Sequence, residues 1–429
     1  MSRRRAYAAL AAVCAVPRLA VLLHERDSIT AAFTEKSDTF AQVFVQHGTF
    51  GLIPGEPSAY TQPLYGWFLV PVYWIFGRGW ISIGLAQIAL AIATALLVYE
   101  IGRRVLGARA GIAAAAIATL NPYLVWHDVH VNREIVDQVC AAALVLLTLL
   151  VVERRSLRLA GALGVVAGLA MLGNSRLVFL PLLVVAYLGW RLPRTRATAL
   201  IAALVLAGSA ISVAPWLVRN KVNVGCWALT TDGRAMWKAN NTQTYGLLSH
   251  GRWIDDVTHP PRQKGQNYYT PDDARTYYEK GLPTLAHNLY PNECEQMSFF
   301  EHRTFLFWQR HPGEKAKLMA LSAKLLWQPS VFETTGRNGA GQQLDIGRSI
   351  VEPAYMWALY ALAAAGLFLA SRAFVALALL LLGYQTGAAL VFVGATRYRV
   401  AWDFLVVLLA IATLTRMAEW ARTRREARR

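Results

Sequence analysis

Acidic side chains stand at two places where an apolar stretch of the sequence meets a polar one. Asp38 follows Glu35 and Lys36 in the first polar segment, and Glu134 opens a long apolar run. A positioned carboxylate can take the proton of a hydroxyl group, which is a weak nucleophile near neutral pH. A carboxylate here can also do no more than cap a helix or favour its dipole. Asp38 and Glu134 are therefore candidate catalytic residues, with helix capping as the alternative interpretation.

Basic side chains lie near the same boundaries. A guanidinium binds a phosphate group with two parallel hydrogen bonds, so these residues are candidate phosphate ligands. The alternatives are ion pairs with Asp38 or Glu134, or long side chains that reach the membrane surface. The candidates, which include one tyrosine, are Lys36, Arg133, Arg176, Arg219, Arg397 and Tyr398.

Other polar residues near these positions are auxiliary candidates. They are Glu35, His127, Asp128, His130 and Asn220. The close spacing of His127, Asp128 and His130 on one loop is a weak signature of a metal site. Glu35 lies close enough to Asp38 in the chain for the two carboxylates to share a proton and titrate as a pair. Because carboxylates are few, we expect no essential metal ion and no cofactor.

Composition limits the class of protein. The chain has 429 residues and a formal charge of +17, with 55% hydrophobic and 16% charged residues. Soluble proteins carry about 25% charged residues, and disordered chains have few apolar ones. Here the apolar residues form runs that approach the roughly 20 residues needed to span a bilayer. Short arginine clusters between the runs follow the positive-inside rule, which predicts a polytopic membrane protein and not a nucleic-acid-binding one.

The arginine clusters orient the apolar runs. If the clusters and both termini are cytoplasmic, the alternation closes with about ten membrane helices. The predicted spans are 6–23, 80–101, 110–126, 135–152, 159–172, 177–190, 197–218, 351–370, 374–393 and 400–414. Segments 63–76 and 315–327 carry aromatic rings or lysines among apolar residues, which favours the membrane surface. Either segment could instead cross a thinned bilayer.

This topology divides the chain into three regions. Residues 1–218 form a membrane module of about seven helices with external loops 24–79 and 127–134. Residues 219–350 form an aromatic-rich external subdomain that contains an interfacial helix at 314–328. Residues 351–429 form about three membrane helices and a basic cytoplasmic tail. Cys226 and Cys294 both lie in the external region, where an oxidising compartment would permit a disulfide that the sequence alone does not decide.

Several short motifs follow one another along the chain, and their order is informative. They are Ser37-Asp38, Gly48, Pro57-Ser58-Ala59-Tyr60-Thr61-Gln62-Pro63-Leu64-Tyr65, Asn121-Pro122, Glu134, Asn174-Ser175-Arg176, Pro215-Trp216-Leu217-Val218-Arg219-Asn220, Thr230-Thr231-Asp232-Gly233, Trp237-Lys238-Ala239-Asn240-Asn241, His311-Pro312-Gly313 and Arg397-Tyr398-Arg399. Over residues 27–415 this order resembles the GT-C glycosyltransferases of the dolichyl-phosphate-mannose protein mannosyltransferase and aminoarabinose transferase superfamily. The resemblance implies an all-α polytopic fold in the plasma membrane, with the site on the extracytoplasmic side.

The resemblance also implies a reaction. A monosaccharide passes from a polyprenyl-phosphate carrier to an acceptor hydroxyl of a glycan, lipid or protein. Asp38 matches the general base of such enzymes, and Glu134 matches the carboxylate of their second external loop. Displacement assisted by one base would invert the anomeric carbon, which is the outcome we expect. One departure is Thr61-Gln62, where many relatives carry a basic residue.

Two other classes of protein share some of these features. A lipid-linked sugar transporter or scramblase would also need apolar spans and phosphate-binding arginines, but such proteins are typically built from paired halves. The sequence shows no duplicated halves. A non-catalytic protein that binds lipid carriers is the other alternative, and the two candidate carboxylates argue against it. The sequence does not identify the sugar, the acceptor or the length of the lipid.

Overall fold

The computed structural model describes residues 2–31, 35–258, 269–330 and 347–427. Within these ranges the chain is helical, apart from one isolated β-bridge between Ile53 and Glu56. The prediction of an all-α fold is therefore confirmed. Part of the predicted external region, at 259–268 and 331–346, lies outside the described residues.

The helices follow one another with short connections in the first half of the chain. They are α1 (Arg3–Glu25), α2 (Ser28–Ala31), α3 (Lys36–His47), α4 (Pro63–Phe76), α5 (Trp80–Val105), α6 (Ala108–Thr119), α7 (Pro122–His127), α8 (Glu134–Arg154), α9 (Leu157–Gly173), α10 (Leu180–Arg191) and α11 (Arg196–Asn223). The second half contains α12 (Gly233–Lys238), α13 (Thr244–Ser249), α14 (Pro271–Glu279), α15 (Pro283–Leu289), α16 (Glu293–Arg310), α17 (Pro312–Trp327), α18 (Glu352–Leu369), α19 (Arg372–Val391), α20 (Thr396–Arg399) and α21 (Asp403–Glu426).

Among the described residues, seven helical segments are long and apolar enough to cross a membrane. They are Arg3–Glu25, Trp80–Val105, Glu134–Arg154, Arg196–Asn223, Ser349–Leu369, Arg372–Val391 and Thr396–Glu426. The polytopic character is thus confirmed. The predicted spans at 110–126, 159–172 and 177–190 correspond to shorter helices, α6 with α7, α9 and α10. The number of about ten crossings therefore stays a prediction.

Ion pairs define one end of the helix bundle. Glu100, near the end of α5, accepts from Arg3 at the start of α1 at 2.7 Å and from Arg104 at 2.6 Å. Arg104 also reaches Glu153 at the end of α8, at 3.6 Å. The start of α1 therefore lies beside the ends of α5 and α8. This is the arrangement that the predicted alternation of spans requires.

Small residues bring α9 and α11 close together. A Cβ added at Gly164 would lie 2.3 Å from the carbonyl oxygen of Val205, and one at Gly168 would lie 2.7 Å from that of Ser209. The Ser209 hydroxyl also donates to the Gly164 carbonyl at 3.0 Å. Such contacts are typical of membrane helices, whose backbones approach where side chains are small.

Helix α3 carries the first candidate carboxylate. It ends at Gly48, whose φ of 71° lies in the left-handed region that glycine adopts without strain, as the sequence predicts. The N-cap residue is Glu35, and no side chain caps the helix. Asp38 lies inside the first turn, so the capping interpretation does not describe it.

The predicted external subdomain contacts the first predicted external loop. Cys226 and Cys294 form a disulfide that joins the segment after α11 to the start of α16. The neighbouring Glu293 is buried and accepts hydrogen bonds from the Ala59 amide at 3.0 Å and the Thr231 hydroxyl at 2.6 Å. The first external loop and the subdomain are thus held in one arrangement on both sides of a common cavity.

Candidate functional site

A cavity of about 840 Å³ lies between the ends of the membrane helices and the external subdomain. Its walls come from the start of α3, the segment before α8, the junction of α9 and α10, and α20. The subdomain contributes residues of α12, α14 and α16 and the loops around them. The predicted site residues that line the cavity are Glu35, Lys36, His127, Arg133, Glu134, Arg176, Arg397 and Tyr398. Those absent from its lining are Asp38, Asp128, His130, Arg219 and Asn220.

Glu134 and Arg397 form an ion pair in the cavity wall. The Nε of Arg397 donates to Oε1 of Glu134 at 2.6 Å, and the Glu134 side chain is only 3% exposed. A second nitrogen of Arg397 lies 4.0 Å from Oε2 of Glu35. Arg397 therefore stands between two carboxylates, one at the start of α8 and one just before α3.

Arg176 faces the cavity without a carboxylate partner among the described residues. It follows α9 in a short 3-10 turn, and its guanidinium lies 3.7 Å from the centre of the Tyr398 ring. One of its nitrogens donates to the carbonyl of Val393 at 3.3 Å. Burial lowers the pKa of Arg176. A buried guanidinium of this kind favours an anion as its partner.

Arg133 lies on the same side of the cavity. One of its terminal nitrogens donates to Gln62, while its buried Nε has no hydrogen-bond partner and no ion pair is seen in the described part of the chain. Burial lowers the pKa of Arg133, but the charges of Glu35 and Glu134 outweigh it, so the net pKa is raised. Arg133 and Arg176 thus offer positive charge to the same hollow.

Lys36 has a different role from the predicted one. Its Nζ lies 2.8 Å from Asp232 and 3.5 Å from Asp272, and 4.0 Å from the centre of the Tyr60 ring. Burial opposes the charge of Lys36 and is the largest single effect, but Asp232, Tyr60 and Asp272 together outweigh it, so the pKa of Lys36 is raised. The lysine ties α3 to the external subdomain, and its charge is already compensated.

Asp38 lies behind the cavity wall. It is 4% exposed, and its carboxylate accepts from the Tyr73 hydroxyl at 2.6 Å and from Arg78 at 2.8 Å. Arg78 also donates to the carbonyl of Thr30. Sequence reasoning missed Arg78. Its signal was present, since it is one of only two arginines, with Arg26, in the predicted external loop 24–79, where the positive-inside rule disfavours arginine.

Arg219 and Asn220 stabilise the scaffold of the site. Arg219 donates to the carbonyls of Ser58 and Phe50, each at 2.7 Å, and Asn220 donates to the carbonyl of Ala228 at 2.8 Å. The Arg219 bonds hold the first predicted external loop against the end of α11, and the Asn220 bond holds the segment that follows α11. The predicted role of Arg219 in phosphate binding does not fit this position, because its donors point at backbone oxygens.

The segment after α7 does not assemble into a metal site. Asp128 is buried and accepts from Arg18 at 2.7 Å and from Gln138 at 2.8 Å. The Nδ1 of His130 pairs with the carbonyl of Trp126 at 2.7 Å. His127 instead stacks on a tyrosine ring in the cavity wall, and burial lowers its pKa well below the ordinary value. Within the described ranges, no three metal-binding side chains converge.

The cavity wall formed by the predicted external region, called the outer wall below, contains residues that were not among the predicted site residues. They are Trp227, Trp253, Asp232, Asp255, Asp272 and Glu301. They come from distant parts of the external region and meet only through its tertiary structure. No local spacing could therefore have grouped them.

Comparisons with known proteins place part of the chain. Residues 57–218 match the family model of dolichyl-phosphate-mannose-protein mannosyltransferase, which confirms the resemblance over that region. A search of curated proteins found no match. The matched region covers less than half of the 429 residues.

Two solved structures are similar to this chain at low sequence identity. The oligosaccharyltransferase of Archaeoglobus fulgidus in its apo form is 12% identical with a TM-score of 0.49, over 98% of this chain and 52% of that protein. The chain thus spans about half the length of that protein. ArnT from Cupriavidus metallidurans in the apo state is 17% identical with a TM-score of 0.40, over 97% of this chain and 78% of ArnT.

Proposed function

We propose that this chain transfers a monosaccharide from a polyprenyl-phosphate carrier to an acceptor hydroxyl on the extracytoplasmic face of the membrane. One observation carries the proposal. Arg133 and Arg176 face a single cavity with no ion pair to a carboxylate among the described residues, while Glu35 and Glu134 line the same cavity. Positive groups for a phosphate and negative groups for a hydroxyl proton therefore meet in one place.

The phosphate of the donor binds beside Arg133 and Arg176 in this proposal. When the sugar leaves, the phosphate oxygen gains negative charge, and fixed guanidinium groups stabilise that charge more strongly in the transition state than in the ground state. Arg397 lines the same cavity and can bind the phosphate while it remains paired with Glu134. The mechanism needs no nucleotide, because the phosphate ester already activates the sugar.

The isoprenoid chain enters the cavity beside Arg176. Val178 and Phe392 line the cavity there, and Phe179 next to them is 61% exposed. The Tyr384 hydroxyl donates to the carbonyl of Arg176 at 2.7 Å and accepts from the Phe179 amide, which joins α10 to α19. Apolar side chains next to a guanidinium that makes no ion pair among the described residues suit a lipid phosphate, with the tail in the bilayer and the phosphate in the cavity.

Asp38 is the proposed general base and Glu134 the second carboxylate. The base takes the acceptor hydroxyl proton, the oxygen bonds to the anomeric carbon, and the bond from that carbon to the phosphate oxygen breaks with its electron pair on the phosphate. For this step Asp38 must turn away from Arg78 into the cavity. Glu35 is the alternative base, because its carboxylate lines the cavity already. Displacement without a carboxylate nucleophile inverts the anomeric carbon.

The experiment measures sugar transfer from a labelled short-chain polyprenyl-phosphate sugar in proteoliposomes. Asp38→Asn, Glu35→Gln and Glu134→Gln are compared, with Glu419→Gln in the exposed C-terminal end of α21 as control. Loss of a general base typically slows turnover about 10²- to 10⁴-fold. If Asp38→Asn folds and keeps its turnover while Glu35→Gln loses it, the base is Glu35. Full activity in all three variants contradicts the proposed reaction.

Two further features belong to the proposal. The termini are cytoplasmic and the cavity faces outward. Single cysteines that replace Tyr245 or Trp420 test this, because only the first should be labelled from outside intact cells.

No metal ion takes part, because Arg133 and Arg176 supply the positive charge. Activity that disappears with a chelator and returns with magnesium or manganese would contradict this.

A further inference from the structure

The cavity has two walls of different chemistry. The wall formed by the ends of the membrane helices carries Arg133, Arg176 and Arg397. The outer wall belongs to the external subdomain and carries two indole rings, Trp227 and Trp253, among carboxylates. The donor phosphate accounts for the first wall only. The outer wall, with its indole rings and carboxylates, suits a ligand other than a phosphate.

The carboxylates of the outer wall remain accessible, although two of them, Asp255 and Asp272, make ion pairs. Asp255 lies 2.9 Å from Lys238, yet its side chain is 54% exposed. Asp272 lies 3.5 Å from Lys36 and is 35% exposed. Glu301 lines the cavity and makes no ion pair within the described residues. Burial raises the pKa of Glu301, since no cation compensates it. These oxygens can accept hydrogen bonds from a ligand rich in hydroxyl groups.

The indole rings provide flat apolar surfaces beside these oxygens. Trp227 is 63% exposed and follows directly on Cys226, which the disulfide joins to the start of α16. Glu301 lies on the same helix α16, one turn beyond Met297, and both line the cavity. The disulfide thus fixes the segment that carries an exposed tryptophan relative to the helix that carries a carboxylate.

We propose that the outer wall binds the acceptor and that the acceptor is a carbohydrate; this rests on the proposed function. A sugar ring has an apolar face of C–H groups that packs on an indole, and hydroxyl groups at its edge that donate to carboxylates. A peptide would instead need partners for its backbone amides, typically from an exposed strand edge or an apolar helix groove. The described part of the outer wall offers neither of these.

The size of the cavity agrees with two sugars. Ligand cavities in proteins range over about 300–1,000 Å³, and 840 Å³ lies near the upper end of that range. A single phosphorylated monosaccharide leaves much of this volume unfilled. The remaining space lies against the outer wall, where an acceptor sugar can place one hydroxyl near the donor.

The test is a transfer assay with a saturating polyprenyl-phosphate sugar and a panel of acceptors. The panel contains hexose and pentose oligosaccharides and, separately, serine- and threonine-containing peptides. We expect transfer to an oligosaccharide. Trp227→Ala, Trp253→Ala and Glu301→Gln should each raise the acceptor KM by roughly 10-fold, the loss typical of one good stacking or charged hydrogen-bond contact, and leave the donor KM unchanged.

Matched controls separate this effect from general damage. Trp420→Ala removes an exposed tryptophan from the C-terminal end of α21, and Glu295→Gln changes an exposed carboxylate on the same helix as Glu301. Both should leave the acceptor KM unchanged. If a tryptophan variant fails to fold, direct binding of the oligosaccharide panel to the wild-type protein without donor replaces it, measured by saturation-transfer NMR.

The outcomes distinguish this inference from the proposed function. Transfer to peptides and not to saccharides would overturn the carbohydrate acceptor and leave the glycosyltransferase intact. An unchanged acceptor KM in all three wall variants, or no oligosaccharide binding to the wild type, would also overturn it. Absence of transfer to every acceptor, together with absence of donor binding, would instead overturn the proposed function.

Discussion

The Nε of Arg397 lies 2.6 Å from Oε1 of Glu134, although the two residues are 263 positions apart in the chain. This hydrogen bond joins the start of α8 to the segment before the last membrane helix. Arg397 also lies 4.0 Å from Glu35. Three distant parts of the sequence therefore meet in the cavity wall. The Glu134–Arg397 ion pair joins two of them, α8 and α20.

A double-mutant cycle tests this pair. We expect Glu134→Gln and Arg397→Gln each to lower the free energy of unfolding by about 1–3 kcal/mol, because each removes the nearest opposite charge of a mostly buried partner. The double variant should lose clearly less than the sum of the two. Thermal unfolding in detergent measures all four proteins. Additive losses would show that the two charges do not stabilise each other.

Arg176 gives a test of donor binding that is separate from stability. It has no carboxylate partner among the described residues, so Arg176→Ala leaves no acidic group unpaired. We expect the affinity for a short-chain polyprenyl phosphate to fall roughly 10- to 100-fold, the worth of a charge-assisted hydrogen bond. Arg176→Lys should recover part of it, since a lysine keeps the charge without the bidentate geometry.

The control for Arg176 is Arg252→Ala, which removes a guanidinium that is 57% exposed and pairs with Asp256. Its affinity for the lipid phosphate should equal that of the wild type. Equal losses in both variants would indicate a general electrostatic effect, and no loss at Arg176 would remove it from the phosphate site.

The disulfide should matter for the outer wall more than for the lipid site. It closes a loop with a sequence separation of 68 residues, for which a loss of about 2–4 kcal/mol on removal is typical. We expect Cys226→Ser/Cys294→Ser to unfold at a lower temperature and to have a raised acceptor KM. Its affinity for polyprenyl phosphate should stay unchanged. The buried Cys140→Ser is the matched control for removal of a thiol.

His127 predicts a pH dependence of stability. Its pKa in the folded protein is lowered by burial, with His130 and Arg397 adding to the effect. Below about pH 6.5 the unfolded chain takes up a proton that the folded protein excludes, so stability should fall as the pH falls. The substitution His127→Asn removes this contribution to the pH dependence of stability.

The measurement compares unfolding temperatures at about pH 7.5 and pH 5.5. The decrease on acidification should be smaller in His127→Asn than in the wild type. Burial also lowers the pKa of His130, so part of the decrease remains. His250→Asn, at an exposed position, should behave as the wild type. Identical decreases in His127→Asn and the wild type would show that His127 is protonated in the folded state.

Some of the site followed from local sequence rules. The end of α3 at Gly48 and the start of α8 at Glu134 obey helix-terminus preferences. The orientation of the spans, taken from the arginine clusters, stays a prediction. The residues that pair with the side chains of the site in the folded protein could not be predicted from the sequence. Arg78 binds Asp38 from 40 positions away, and Asp232 binds Lys36 from 196 positions away. Such pairs depend on how helices and loops pack, which short motifs do not encode.

Arg219 is a second example of a side chain whose partners could not be predicted from the sequence. Its place at an external helix end, next to Asn220, was equally compatible with a phosphate ligand and with a structural role. The carbonyls of Phe50 and Ser58 decide between them, because they take its donors at 2.7 Å. Whether an arginine meets a ligand or a backbone oxygen depends on the loop opposite, and the sequence does not place that loop.

The most direct test is a cryo-EM structure of the full chain in a nanodisc with a short-chain polyprenyl phosphate bound. We predict density for the phosphate within hydrogen-bonding distance of the guanidinium groups of Arg133 and Arg176, with the isoprenoid chain leaving past Val178 and Phe392. Phosphate density outside this cavity, or bound lipid phosphate with Arg176 still turned to Val393 and no contact to either arginine, would contradict the account.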